Sequence, residues 1–168
     1  MTEPVQPEVV ERPEQPYVAI RGRVTMDSIP SIADRFPELL GWLGEQQIPL
    51  AGSPFLKYNL VDSDGILEIE ASAPVAELPD TAASDLVVSG SIPAGRFASL
   101  VHVGPYDGLR GATERLLSWI AEQGLTCDIS DTPAGERWGG RLEIYHTDPR
   151  QKLDPADWTT ELTFRLAD

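Results

Sequence analysis

The chain has 168 residues, 41% hydrophobic and 24% charged, a length that supports one sizeable core but not two full domains. Thirteen basic against 27 acidic residues give a formal net charge of −14, which repels phosphate backbones and anionic membrane surfaces alike, so neither direct nucleic acid binding nor membrane binding is expected. No apolar run approaches the roughly 20 residues of a membrane span, and Met1 to Pro4 lack a secretion-signal pattern; the expectation is a soluble protein of the cytoplasm. The lone Cys127, with only His102 and His146 beside it, makes neither an internal disulfide nor a zinc cluster, so no metal and no cofactor is expected.

Pro4, Pro7 and Pro13 mark residues 1–16 as an irregular lead-in. From Tyr17 to Val24, Val18, Ile20 and Val24 share one parity and Arg21 and Arg23 the other, the pattern of a half-buried strand. Pro30 suits a first helical turn, and Ile32, Phe36, Leu39, Leu40 and Leu43 recur at helical spacing as far as about Gln46, with Pro37 predicting a kink or a late start. Two strands follow, Phe55 to Val61 and Ile66 to Ala73, around the turn residues Asp62, Ser63, Asp64 and Gly65.

The same order then returns. Sliding Val9 to Ile48 by 77 places onto Leu86 to Leu125 needs no gap and gives eight identities in 40 pairs, clustered where Leu39, Leu40, Trp42, Glu45 and Gln46 meet Leu116, Leu117, Trp119, Glu122 and Gln123. A strand from Arg96 to Val103 leads to a helix with Asp107 as its cap and Gly124 as its stop, and strands Arg141 to Thr147 and Thr159 to Leu166 complete the unit. The polar stretch Asp128 to Arg137 reads as a loop. The expected fold is α+β. Two pseudo-symmetric strand-helix-strand-strand modules, 17–85 and 86–168, form one antiparallel sheet with the helices on one face and a ligand cavity on the concave face, at the seam between the modules.

In Arg141, Leu142, Glu143, Ile144, Tyr145, alternation separates the aliphatic pair from the other three. Leu142 and Ile144 are expected against the helices, with Glu143 and Tyr145 on the open face and Trp138 as a wall. A carboxylate beside aromatic rings offers an organic cation charge neutralisation and ring attraction, about 2 kcal/mol per desolvated ring. The alternative is that Glu143 pairs with Arg141 on a solvated face. Tyr58 occupies the comparable strand of the first unit, as a mirror of Tyr145 or as a core residue beside Leu56 and Leu60. Glu68, Glu70, Tyr106 and His102 form a second tier of candidates, and Trp42 and Trp119 are expected to pack. Ser99, His102 and Asp107 lack the context of a catalytic triad, and no Gly-rich phosphate loop with a lysine is present. A buried Glu143 can still act as acid or base, because desolvation raises its pKa.

His102, Val103, Gly104, Pro105, Tyr106, Asp107 and the helix carrying Leu116, Leu117 and Trp119 resemble the GyrI-like small-molecule-binding family. Ile92 to Arg96, Glu143 to Tyr145 with Asp148 and Pro149, and Trp158 to Glu161 resemble three further segments of it, in the same order. The resemblance implies a central cavity for bulky, often cationic and aromatic compounds, with Glu143 as the cavity glutamate and Tyr145 as its aromatic neighbour. It implies a stand-alone drug or toxin binder, since 16 leading residues are too few for a helix-turn-helix domain. Two other roles follow from relatives: hydrolysis of strained alkylating natural products with Glu143 and Tyr145 as catalytic residues, and a protein-interaction role of gyrase-inhibitor type.

Overall fold

The computed structural model describes residues 6–62, 64–79, 86–147 and 154–167; Ser63 of the predicted turn and Asp148 and Pro149 of the acidic-aromatic motif lie outside them. Ten strands run as β1 Glu8–Arg12, β2 Gln15–Val24, β3 Phe55–Val61, β4 Leu67–Pro74, β5 Val88–Ile92, β6 Gly95–Val103, β7 Ile129–Thr132, β8 Gly135–Trp138, β9 Arg141–Tyr145 and β10 Thr159–Arg165. The helices are α1 Pro30–Ala33, α2 Phe36–Glu45 and α3 Leu109–Glu122. The fold is α+β: an antiparallel sheet ordered β1-β6-β10-β9-β3-β4-β2-β5, with β8 extending the β3 edge and β7 paired to β8. Strand, helix, strand, strand occurs in each half, as β2, α1 with α2, β3, β4 and as β6, α3, β9, β10.

Two short links set the shape of the sheet. β1 and β2 stand six strands apart in the sheet order, about 29 Å if the sheet were flat, yet only Pro13 and Glu14 connect them, a reach of about 10 Å. Pro93 and Ala94 impose the same limit between β5 and β6. The sheet therefore curls until its ends approach, and the helix-free face closes on itself. Tyr17 and Ala19 of β2, Phe55 of β3, Ile92 of β5, Phe97 of β6 and Leu142 and Ile144 of β9 form one buried cluster there.

This closure corrects two expectations. Residues 8–12 are not irregular: they pair in full antiparallel register with β6, from Glu8 opposite Ser99 to Arg12 opposite Gly95. The prolines only bracket the strand, and Val10 packs on the closed face. Leu142 and Ile144 meet this strand-lined core and not the helices, so the alternation in β9 is as expected but its two faces are exchanged.

The helices cover the other face. Leu39 and Leu43 of α2 pack on Val18, Ile20 and Ala73, and Leu109, Ala112, Leu116 and Ile120 of α3 pack on Ala98, Leu100, Leu162 and Phe164. Pro37 lies in the first turn of α2, and the preceding residues make a separate turn of helix, α1. Trp42 and Trp119 pack at the margins of their clusters. Asp107 is not the cap of α3: it lies inside the 3-10 turn Tyr106–Gly108, and α3 begins without a side-chain cap bond. Gly124, at φ 70°, does end it. The polar stretch after Cys127 is not a loop but the β7–β8 hairpin, docked on β3 through Leu60–Arg137 and Val61–Glu136.

Gly135 makes that docking possible. Its φ is 131°, and an added Cβ would lie 2.4 Å from the Val61 carbonyl oxygen. Gly135→Ala is expected to cost about 1–3 kcal/mol in chemical denaturation through backbone strain and the contact. Gly111, inside α3 with open space around it, is expected to behave oppositely, Gly111→Ala adding about 0.5–1 kcal/mol.

Candidate ligand-binding site

The two halves of the sheet meet at β3 and β9, where Leu56 stands opposite Glu143 and Lys57 opposite Leu142. Leu56, Tyr58, Arg141, Glu143 and Tyr145 share the face that points toward the helices. Helices α1 and α2 stand over one half and α3 over the other, and the seam between them stays open. The result is a cavity of about 1000 Å³, at the upper end of the range for small-molecule sites. Its floor is β3 and β9; Ile29, Phe36, Leu40 and Leu50 form one side and Tyr106, Leu109 and Thr113 the other.

Glu143 sits on that floor between two phenols. Tyr58 donates its hydroxyl hydrogen to Oε1 at 2.9 Å, and Tyr145 donates to Oε2 at 2.8 Å, so each carboxyl oxygen holds one donor. Burial pushes the Glu143 carboxyl above its ordinary range, and the bonds from Tyr145 and Tyr58, with the charge of Arg141, pull it back only in part. Burial, reinforced by the neighbouring carboxylate, raises both phenols, which stay protonated as donors.

The aromatic lining is a connected set. Tyr145 meets Phe36 edge-on at 6.0 Å and Tyr106 at 5.6 Å between ring centroids, and Tyr106 is backed by Trp158 at 4.6 Å. Phe36 belongs to the first half and Tyr106 to the second, so the Tyr145 ring touches both walls. Apolar and aromatic surface around a few polar groups suits a bulky lipophilic guest.

Of the residues singled out from the sequence, Glu143, Tyr145, Tyr58 and Tyr106 come together in the cavity. Tyr58 unites its two readings, with its ring buried among Leu56, Leu67 and Ile69 and its hydroxyl on Glu143. Trp138 is not a cavity wall. It ends β8 with its ring packed edge-on to Phe164 at 5.6 Å, inside the α3 core. Glu68 and Glu70 lie on the opposite, closed face. Glu70, 1% exposed, accepts from the Tyr17 hydroxyl at 2.8 Å and pairs with Arg21 at 3.0 Å and Lys57 at 3.8 Å, while Glu68 faces Arg21 at 3.6 Å. That cluster satisfies buried charge within the sheet, and burial lowers the Lys57 ammonium. His102 does not line the cavity; its Nε2 lies 2.9 Å from the Pro105 carbonyl oxygen. Ser99 shares a 2.6 Å bond with Thr163 on the closed face, far from any triad geometry.

Sequence reasoning missed Leu56, Phe36 and the chain that closes one end of the cavity. There the Ser53 hydroxyl lies 3.2 Å from Nδ1 of His146, and Nε2 of His146 lies 2.9 Å from Glu161, which also binds Arg12. Ser53 and His146 separate the main cavity from a smaller one of about 250 Å³ on the closed face. Only the alternation of β3 could have pointed to Leu56; the Ser53 chain joins residues more than 90 positions apart. Among the described residues no group of His, Cys, Asp or Glu is placed to hold a metal ion, and no helix is long and apolar enough to cross a membrane.

The family model for the GyrI-like small-molecule-binding domain matches residues 5–167. The chain belongs to this family. No curated protein sequence matches it. Among solved structures it is similar to the EcmrR C-terminal domain, with 22% identity, 98% of each chain covered and a TM-score of 0.73. It is also similar to EcmrR in its DNA complex, at 22% identity and a TM-score of 0.76 over 98% of this chain and 58% of EcmrR, so it spans little more than half the length of that regulator. SAV2435 bound to tetraphenylphosphonium is 13% identical over 96% of this chain and 94% of that one, with a TM-score of 0.62. A hydrolase from Listeria innocua is 16% identical over 96% and 92%, with a TM-score of 0.58. At these identities the likeness is one of fold.

The two phenolic bonds favour the ionised form of Glu143. The double variant Tyr58→Phe with Tyr145→Phe is expected to move the Glu143 carboxyl pKa further up, read from its side-chain carbon shift in an NMR titration. An unchanged or lower midpoint would show that the phenols do not stabilise the carboxylate.

Proposed function

We propose that this GyrI-like chain binds bulky aromatic, lipophilic or cationic small molecules in the cavity between α2 and α3. A role in drug or toxin sensing or sequestration would use this binding. The observation that carries the reading is the Glu143 carboxyl, held by Tyr58 and Tyr145 at the base of an aromatic cavity of about 1000 Å³. Ring burial supplies affinity at about 25 cal/mol per Å² of apolar surface removed from water, and the carboxylate with the faces of Tyr145, Tyr106 and Phe36 selects a cation.

The carboxyl state sets the pH dependence. A cation favours ionised Glu143, whose pKa is raised by burial, so cation affinity is full above that pKa and falls as pH drops through it. The fall begins at a higher pH than for an ordinary surface carboxylate, near 4.3. Calorimetric titration with tetraphenylphosphonium at several pH values is expected to show this, and Glu143→Gln to weaken binding by about tenfold or more, the worth of a charge-assisted contact. A neutral aromatic of the same bulk is expected to bind with little pH dependence. If lipophilic cations neither bind nor raise the melting temperature, the reading fails.

The same carboxyl supports a second, catalytic reading. A buried acid with a raised pKa beside two phenolic donors can protonate a strained electrophile and guide water to it. Mass spectrometry separates the two readings: a product one water heavier than a cyclopropane-bearing alkylating compound, lost in Glu143→Gln, marks turnover and not binding alone.

A further inference from the structure

Arg141 stands on the cavity floor two residues before Glu143, on the same face of β9. Its guanidinium is walled by three rings, with the central carbon 4.9 Å from the Tyr58 centroid, 4.6 Å from Trp138 and 5.1 Å from Phe164. The rings stabilise the cation, but they do not answer the five N–H donors of a guanidinium.

The other paired arginines show the contrast. Arg12 binds Glu161, Arg21 binds Glu70, Arg35 binds Glu38 and Arg165 binds Asp128. Among the described residues no carboxylate lies within 4.0 Å of Arg141, and no carbonyl or hydroxyl accepts a hydrogen bond from its side chain. Glu143 acts on it only through space, since both its oxygens turn to the phenols. The guanidinium N–H groups stay open to the cavity, and a carboxylate entering it meets a fork suited to bidentate bonding.

We propose that the cavity is built for an aromatic zwitterion, whose carboxylate docks on Arg141 while its cationic portion lies at Glu143. The inference rests on the reading that this cavity binds ligand, and it names the chemical class. A simple anion would meet the Glu143 carboxylate, and a simple cation would leave the Arg141 donors unanswered. The two sites lie about 6.6 Å apart along the strand, so both charges fit one aromatic body.

Two dyes of one skeleton test it. Rhodamine B carries a xanthene cation and a benzoate; its ethyl ester keeps the cation and removes the negative charge. In fluorescence anisotropy the protein is expected to bind rhodamine B about tenfold more tightly than the ester, the value of one charge-assisted contact. Arg141→Met is expected to abolish the preference, and Arg141→Lys to keep part of it. Equal affinity of the unaltered protein for both dyes overturns the inference, and so does an Arg141→Met protein of unchanged circular dichroism that keeps the preference. The comparison in the unaltered protein, with Arg141→Lys, decides the matter if Arg141→Met does not fold. If neither dye binds and tetraphenylphosphonium does not bind either, the general ligand-binding reading falls as well. Tetraphenylphosphonium binding without any preference for the benzoate removes only the zwitterion.

Discussion

The architecture depends on two connections of two residues each. Pro13 with Glu14, and Pro93 with Ala94, tie strands at opposite ends of the sheet, and chain reach leaves no flat solution. Curling brings β2 and β5 toward β1 and β6, which buries Phe97, Phe55 and Leu142 together without any helix. The same closure encloses polar groups. Glu70 can be 1% exposed because Tyr17, Arg21 and Lys57 surround it, and these partners come from the strands on both sides of β4.

With one face sealed by strands, the functional space has to lie on the other. α2 packs on one half of the sheet and α3 on the other, and the cavity lies over the pair β3 and β9 where the halves join. The uncovered seam is a trough with a floor of alternating side chains. Position along β9 then dictates chemistry, since Arg141, Glu143 and Tyr145 project into the trough and Leu142 and Ile144 into the closed core. Burial disfavours charge on both Glu143 and Arg141. The protein meets the two costs differently, with two phenolic donors for the carboxyl and three ring faces for the guanidinium. The first arrangement completes the hydrogen bonds of its group, whereas the second leaves donors facing the cavity. That asymmetry is what gives the site its chemical direction.

The strands and helices with strong periodicity were legible in the sequence, and so was the partition of β9 into two sets. Glu143, Tyr145 and Tyr58 could be picked out because acid and phenol lie on one parity of two strands from matching units. Which parity met the helices was not legible, because Leu142 and Ile144 are equally apolar against a helix or against another strand. β1 was hidden by its prolines, although Pro7 and Pro13 fall outside its pairing. Trp138 looked like a wall from its place upstream of β9. Gly139 and Gly140 separate β8 from β9, and the Trp138 ring lies in the α3 core.

Alternation, helical spacing and turn residues are local properties, carried by neighbours a few positions apart, so one sequence suffices to show an α+β chain with an acidic-aromatic strand. The cavity is a non-local property. It exists because Phe36, Tyr58, Tyr106 and Glu143, spread over more than a hundred positions, are brought to one seam by strand order and curl. The fate of each carboxylate was settled in the same way: Glu70 received cations and Glu143 received phenols, because burial makes an ionisable group depend on whatever distant partners the fold presents to it.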